Sequence, residues 1–471
     1  MSISRRTLLG ATAASALAAG TTAAAPSAFG APRPGVSATA YPTHLVDEGK
    51  LALPRGFKAW RVGTIGVEPL LADRGGAVVG VTPSNLDGTG CFSGRGRIRL
   101  VRNHECRANA DVPVPLVEGT VYDAGVPTGM GGNTVVELTA NGKFVSQWVG
   151  LSGTIRNCAG GETPWGSWLA CEEDTTKAGT AVVSSVDGKT YVAQKDHGYV
   201  FEVFPEVVAA QIPEPITAWG RAVWEGAAIG PDLSSAYLTE DTGGGLFYRW
   251  TAPAGARIGA GIARQFGPAD GVLQAAQLVR NGTPLVHYGE LTAADLGVAH
   301  PVTWVNGGAD RQAQTTPLRR QFPGATVHPK IEGCWPDAAG LWFTLSYVNA
   351  TEAARYGIDE DWGMVMYYSF ADETLTLKEY YAAGNAEEFH GPDNITVSPW
   401  GSVVIAEDGM NPCSLIAYSE RRGSLEFARD LADRGEWAGP CFNRSGSLLF
   451  ASVQSDCTYA ISGPLAQFLN R

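Results

Sequence analysis

The stretch Asn157-Cys158-Ala159-Gly160-Gly161-Glu162-Thr163-Pro164-Trp165-Gly166-Ser167-Trp168-Leu169-Ala170-Cys171-Glu172-Glu173 decides how this chain reads. A cysteine stands at a Gly-rich entrance. A tight Pro-Trp-Gly turn follows, then a short apolar strand, then two adjacent carboxylates. Like charges at a strand end repel and lose solvation on burial, so a cation is the expected partner.

Working outward, the stretch has copies. Ser398-Pro399-Trp400-Gly401-Ser402-Val403-Val404-Ile405-Ala406-Glu407-Asp408 repeats the turn and the acid pair, and Pro399 precedes Glu407 by the same offset that separates Pro164 from Glu172. Gly230 to Asp241 is a looser copy ending in Glu240-Asp241. Gly333 to Thr344 and Gly439 to Phe450 keep strand, turn and strand but lose the acids. Units of this kind repeated along a chain predict an all-β protein, a β-propeller with loop and helix insertions. Equivalent strand ends gather at one mouth of a propeller channel, so the repeated acids should converge there. A generic sandwich also alternates strand and turn, but it gives no reason for matched acid pairs.

Composition agrees. The 471 residues include 59 Gly and 28 Pro, with only 17% charged residues, which suits many short strands and turns. The net charge of −12 excludes nucleic acid as an expected partner. Residues 1–30 read as a targeting segment. Ser4-Arg5-Arg6-Thr7-Leu8-Leu9 is a twin-arginine pattern before an Ala/Leu run too weakly apolar to be a stable membrane span. The export machinery for folded proteins is therefore an expected partner, with a secreted, cell-surface or periplasmic destination. Residues 31–471 form one propeller domain, with an insertion around 251–330 that looks helical and loop-like. A monomer is expected. The eight cysteines fit no zinc spacing, and their pairing is open.

The candidate metal ligands are Glu105, which ends the strand Ile98 to Arg102, together with Cys158, Glu172, Glu173, Glu225, Glu240, Asp241, Glu332, Asp393, Asn394, Glu407 and Asp408. Oxygen donors suit hard cations such as Ca²⁺. A thiolate among them favours a softer or redox-active metal such as iron. Histidines are few, His104, His328 and His390 being nearest, which argues against a zinc hydrolase. His104 itself reads as structural, and Trp165 and Trp400 as turn packing.

Asn103-His104-Glu105, Asn157 through Glu173, Lys195-Asp196-His197-Gly198-Tyr199-Val200-Phe201-Glu202, Thr239-Glu240-Asp241 with Phe247-Tyr248-Arg249-Trp250, and Gly391 through Gly409 closely resemble the PhoX-type alkaline phosphatases. The resemblance spans most of the chain beyond residue 30 and includes the twin-arginine signal. It implies six blades, Fe³⁺ and Ca²⁺ at the channel mouth, and hydrolysis of phosphomonoesters outside the cytoplasm. It implies that Cys158 is an iron ligand, and that Glu225, Glu332 and the acids ending the repeats bind iron and calcium. Lys330, Glu332 and Glu225 are the expected catalytic set. Two positions depart from the family pattern. Lys330 stands where an arginine is usual, and Trp224 where a histidine commonly precedes the glutamate. Two other readings are a calcium-dependent propeller lactonase, which would not need Cys158, and a non-enzymatic ligand-binding propeller.

Overall fold

A computed structural model of the chain describes residues 43–126, 131–184, 187–206, 213–384, 389–409, 413–432 and 434–470. The twin-arginine segment lies outside the described residues.

The described chain is all-β and propeller-like. Sheets of three, four, six and six strands make four blade-like units, and a ten-stranded sheet runs through the middle of the sequence. Twelve strands position the site. They form six antiparallel pairs: β1 (Leu86–Gly94) with β2 (Arg97–His104), β3 (Asn157–Glu162) with β4 (Trp168–Glu172), and β5 (Trp224–Ile229) with β6 (Ser235–Glu240). The others are β7 (Ile331–Pro336) with β8 (Gly340–Leu345), β9 (Pro392–Val397) with β10 (Val403–Glu407), and β11 (Trp437–Phe442) with β12 (Leu448–Val453).

The odd-numbered strands form an inner ring. β1 packs on β3, β3 on β5, β5 on β7, β7 on β9 and β9 on β11, and β11 returns to β1. Strand Lys58–Thr64 pairs with Cys457–Ser462, so an early and a late strand of the described chain share one sheet. The apolar residues of β4, β6, β8, β10 and β12 are buried in cores between neighbouring sheets. This explains why those segments read as near-continuous apolar runs.

The repeated turn has one geometry. Gly166 donates to Thr163 O at 3.0 Å, and Gly401 donates to Ser398 O at 2.9 Å. Both glycines have left-handed φ, +86° and +89°, where a side chain would be strained. These turns lie at the far end of the hairpins from the paired acids. The fixed spacing from Pro to acid is therefore the length of one strand.

All six inner strands also carry the same irregularity. In each, two residues are left unpaired opposite one on the partner strand, which is a β-bulge. The first bulged residue is Asp87, Cys158, Glu225, Glu332, Asp393 and Gly439 in turn.

The 251–330 stretch is richer in strand than its sequence suggests. Val272–Arg280 pairs with Phe247–Thr251 and with Ala299–Asn306, which in turn reaches Thr374–Ala382. It thereby bridges two blade-like halves of the ten-stranded sheet. Its short helical turns are 3₁₀, and the described α-helices are Ala350–Tyr356 and Leu465–Leu469. Among the described residues no helix is long and apolar enough to cross a membrane.

Candidate metal centre

Bulges aim side chains. Those of β1, β3, β5, β7 and β9 bring Asp87, Cys158, Glu225, Glu332 and Asp393 together at one end of the inner ring. The residue after each is small or tightly packed. A Cβ on Gly88 would lie 2.5 Å from Ala159 Cα, and one on Gly333 would lie 2.9 Å from Asn394 Cα. Small second residues let adjacent inner strands approach closely, while the first residues reach inward.

The second ring of acids comes from the even strands. The last residues of β2, β4, β6 and β10 are His104, Glu172, Glu240 and Glu407, each paired with the residue just before a bulge. Side chains alternate along a strand, so these four turn into the blade and the next residue turns to the mouth. Glu105, Glu173, Asp241 and Asp408 are those next residues.

Four overlapping groups result. They are Asp87, Glu105 and Cys158; Cys158, Glu173 and Glu225; Glu225, Glu332 and Asp393; and Asp393, Asp408 and Glu436. Within each group the candidate donor atoms lie within 4.8 Å of one another. Cys158 Sγ is 3.6 Å from Asp87 Oδ2. Shared members link the groups into one arc.

Burial without discharge is the electrostatic signature. Burial, then the charges of Asp393, Glu332, Glu173 and Asp87, push the Glu225 carboxyl well above its ordinary range. Burial and the neighbouring Glu332 and Asp408 do the same to Asp393. Asp87 is pushed up to about 8 by burial and Glu105. Burial and the surrounding carboxylates raise the Cys158 thiol well above its ordinary value. Glu225 is 1% exposed, and neither of its carboxylate oxygens has a hydrogen-bond partner among the described residues. A buried carboxylate with no partner is costly. Cations would discharge it, and the donor set of oxygens plus one thiol fits hard cations beside a softer metal.

Among the described residues, Lys330 and Arg156 border the arc. Lys330 Nζ lies 2.6 Å from Glu332 Oε1 and 3.8 Å from Asp241 Oδ2. Arg156 contacts Glu105 and Glu173, each at 2.7 Å.

Of the residues expected from sequence, Glu105, Cys158, Glu173, Glu225, Glu332, Asp393 and Asp408 come together. Asp241 meets Lys330 at the edge, outside the four groups. Four others are held elsewhere. Glu172 accepts from Ile155 N, Gly198 N and Tyr199 N at 2.9, 2.9 and 3.2 Å and meets His197 Nδ1 at 2.6 Å. Glu240 accepts from Tyr248 Oη at 2.6 Å and Arg319 at 3.3 Å. Glu407 accepts from His390 N and Ser414 N at 2.9 and 2.8 Å. Asn394 donates to Asp393 Oδ1 at 3.0 Å and accepts from Gly439 N at 2.7 Å, so it braces a neighbour. His104 is buried and bonded to Ser84 O and Thr134 Oγ1, and burial lowers it to about 3. Trp224 is buried in the core, edge-on to Tyr248. All eight cysteines are buried and unbridged.

Asp87 reads from the sequence as part of a turn-rich loop, 82–90, that could carry ligands or simply turn, and it is not among the expected ligands; neither are Glu436 and Gln454. Gln454 Nε2 donates to Glu105 Oε2 at 2.9 Å and Asp87 Oδ2 at 3.1 Å, and it also contacts Glu436. A signal for Asp87 existed. Asp87-Gly88, Cys158-Ala159, Glu225-Gly226, Glu332-Gly333 and Asp393-Asn394 all place a potential ligand before a small residue or a bracing amide.

Fold and site together define a propeller-like protein with a carboxylate and thiol mouth suited to cations. The sequence matches the family described as Alkaline phosphatase PhoX over residues 39–147 and 139–456, and the chain belongs to that family. Its fold resembles that of Pseudomonas fluorescens PhoX in complex with vanadate, a transition state analogue. Identity is 17%, 90% of this chain and 97% of that chain are covered, and the TM-score is 0.64. A Xanthomonas campestris gluconolactonase aligns far more loosely, at 13% identity over 91% and 99% of the two chains with a TM-score of 0.36. No curated protein matches the sequence.

Proposed function

We propose that this chain is an exported, six-bladed propeller enzyme that hydrolyses phosphomonoesters at a mixed iron and calcium site. The observation that carries the reading is the arc of five bulge side chains, Asp87, Cys158, Glu225, Glu332 and Asp393, joined by Glu105, Glu173 and Asp408. Family membership supports the reaction class. The closed ring of six inner strands supports the blade count, with the ten-stranded sheet counted as two blades and their bridge. The twin-arginine pattern at Arg5 and Arg6 supports export.

In this reading Cys158 faces the softer metal and the acid-only groups face calcium. The bound cations would supply Lewis acidity, holding phosphoryl oxygens and offsetting developing negative charge. The chain's own residues orient the ester. The Lys330 ammonium, fixed between Glu332 and Asp241, offers a point charge to a phosphate oxygen, without the bidentate fork of an arginine. Glu332 fixes that ammonium, and Glu225, at the centre of the arc, keeps two adjacent cation positions in register. Asp393 shares this duty on the other side.

Turnover of p-nitrophenyl phosphate by purified protein, before and after chelation, tests the reading. The expected result is hydrolysis that disappears on chelation and returns with iron and calcium. Turnover of a lactone but not the phosphoester would favour a calcium lactonase. Absence of both would favour a binding propeller.

A further inference from the structure

We propose that Arg156 is a positioning residue that locks together the two acidic groups meeting at Cys158. This rests on the metal-site reading above.

Arg156 stands two residues before Cys158. Its Nε donates to Glu105 Oε1 at 2.7 Å. One terminal guanidinium nitrogen lies 2.7 Å from Glu173 Oε1 and donates to the Glu173 carbonyl at 3.2 Å. Glu105 belongs to the group with Asp87 and Cys158, and Glu173 to the group with Cys158 and Glu225. One guanidinium therefore holds one member of each of the two groups that share Cys158.

The main chain holds the clamp in place. Arg156 N donates to Cys106 O at 3.0 Å, and Glu173 N donates to Arg156 O at 2.9 Å. The residue is thus tied to the segments leaving both β2 and β4. Its φ of +53° is left-handed, an unfavourable conformation for a residue with a Cβ. Such strain persists where the surroundings over-determine it. Arg156 is 8% exposed, so the bonds form away from bulk water, where charge-assisted pairs are strongest.

The consequence is specific. Each carboxylate spends one oxygen on Arg156, which fixes how its other oxygen can face a cation. Gln454 already engages the second oxygen of Glu105. Losing the guanidinium releases both acids at once and leaves two carboxylates near Cys158 without their counter-charge. Weakened metal retention on both sides of the thiol follows, where loss of a single ligand would weaken one. A lysine here supplies charge but lacks the fork that reaches both acids.

The test uses whole purified protein and does not depend on turnover. Wild type, Arg156→Lys and Arg156→Met are dialysed against rising EDTA, and retained iron and calcium are measured by elemental analysis. Melting temperatures are taken in excess chelator. The expected result is loss of iron from Arg156→Met at chelator concentrations about 10- to 100-fold lower than for wild type, with calcium in the acid-only groups less affected. Arg156→Lys should be intermediate, and metal-free Arg156→Met should melt below metal-free wild type, because two buried carboxylates lose their counter-charge. If Arg156→Met does not fold, the lysine variant decides. Retention of iron by Arg156→Met within about twofold of wild type overturns the proposal, and so does loss of calcium ahead of iron. Wild type that purifies without metal overturns the metal-site reading itself, and this inference with it.

Discussion

Asp87 and Cys158 hold the same structural position on adjacent inner strands. Each is the first of two residues left unpaired by a bulge, and Cys158 Sγ comes to 3.6 Å from Asp87 Oδ2. One backbone device, repeated around the ring, thus presents different ligand chemistry in each unit. In the sixth unit the position is Gly439, where an added Cβ would lie 2.4 Å from Asp87 O. There Glu436 joins the arc instead.

Asp87→Asn should separate metal binding from intrinsic stability. Burial and Glu105 raise the Asp87 carboxyl to about 8. Its ordinary value is near 3.9. A raised carboxyl favours the unfolded chain as pH climbs from the ordinary value to the raised one. Metal-free Asp87→Asn should therefore melt higher than metal-free wild type at pH 9, with little difference at pH 4. The same variant should bind metal at least about 10-fold more weakly. Melting scans in chelator and elemental analysis check both.

Glu172 and Glu173 are adjacent and should behave differently. Glu172 faces the blade and accepts three backbone N–H groups, so Glu172→Gln would set an amide donor against donors. It should cost about 2–3 kcal/mol in denaturant unfolding, with or without chelator. Glu173 turns to the mouth. Glu173→Gln should cost less stability in chelator, but it should reduce retained metal and phosphoester turnover.

His197 should give stability a second pH dependence. It lies between Glu172 at 2.6 Å and Asp123 at 3.3 Å. Burial alone would lower its pKa, but the two carboxylates outweigh that and raise it to about 9. A histidine raised in the folded state stabilises fully below its unfolded value near 6.5, and the contribution fades as pH rises through about 9. The melting gap between wild type and His197→Asn should be wide at pH 6, of order 3 kcal/mol, and narrow at pH 10.

Much of this was legible in the residues, because a repeated turn and a repeated strand length are local signals. Pro164-Trp165-Gly166 and Pro399-Trp400-Gly401 announce equivalent hairpins, and the acids that follow mark one mouth. Which acid of a pair faces the mouth was not legible. That depends on strand phase relative to the bulge, so Glu172, Glu240 and Glu407 looked as good as their successors. Asp87 looked like part of a turn, because Asp-Gly is ordinary turn chemistry. Only the pairing of β1 with β2 reveals the dipeptide as a bulge. Arg156 gave no signal of its own, since its two partners lie 51 and 17 residues away. The 251–330 stretch looked like loops because its strands are half-exposed and bridge two units.

The most direct measurement is the iron and calcium content of purified wild type and Cys158→Ala, by elemental analysis of the two proteins prepared in parallel. The account predicts iron together with calcium in wild type, and loss of iron with most calcium retained in the variant, because the thiol is the one soft donor among the described residues of the arc. Calcium without iron in wild type, or iron unchanged in Cys158→Ala, would contradict it.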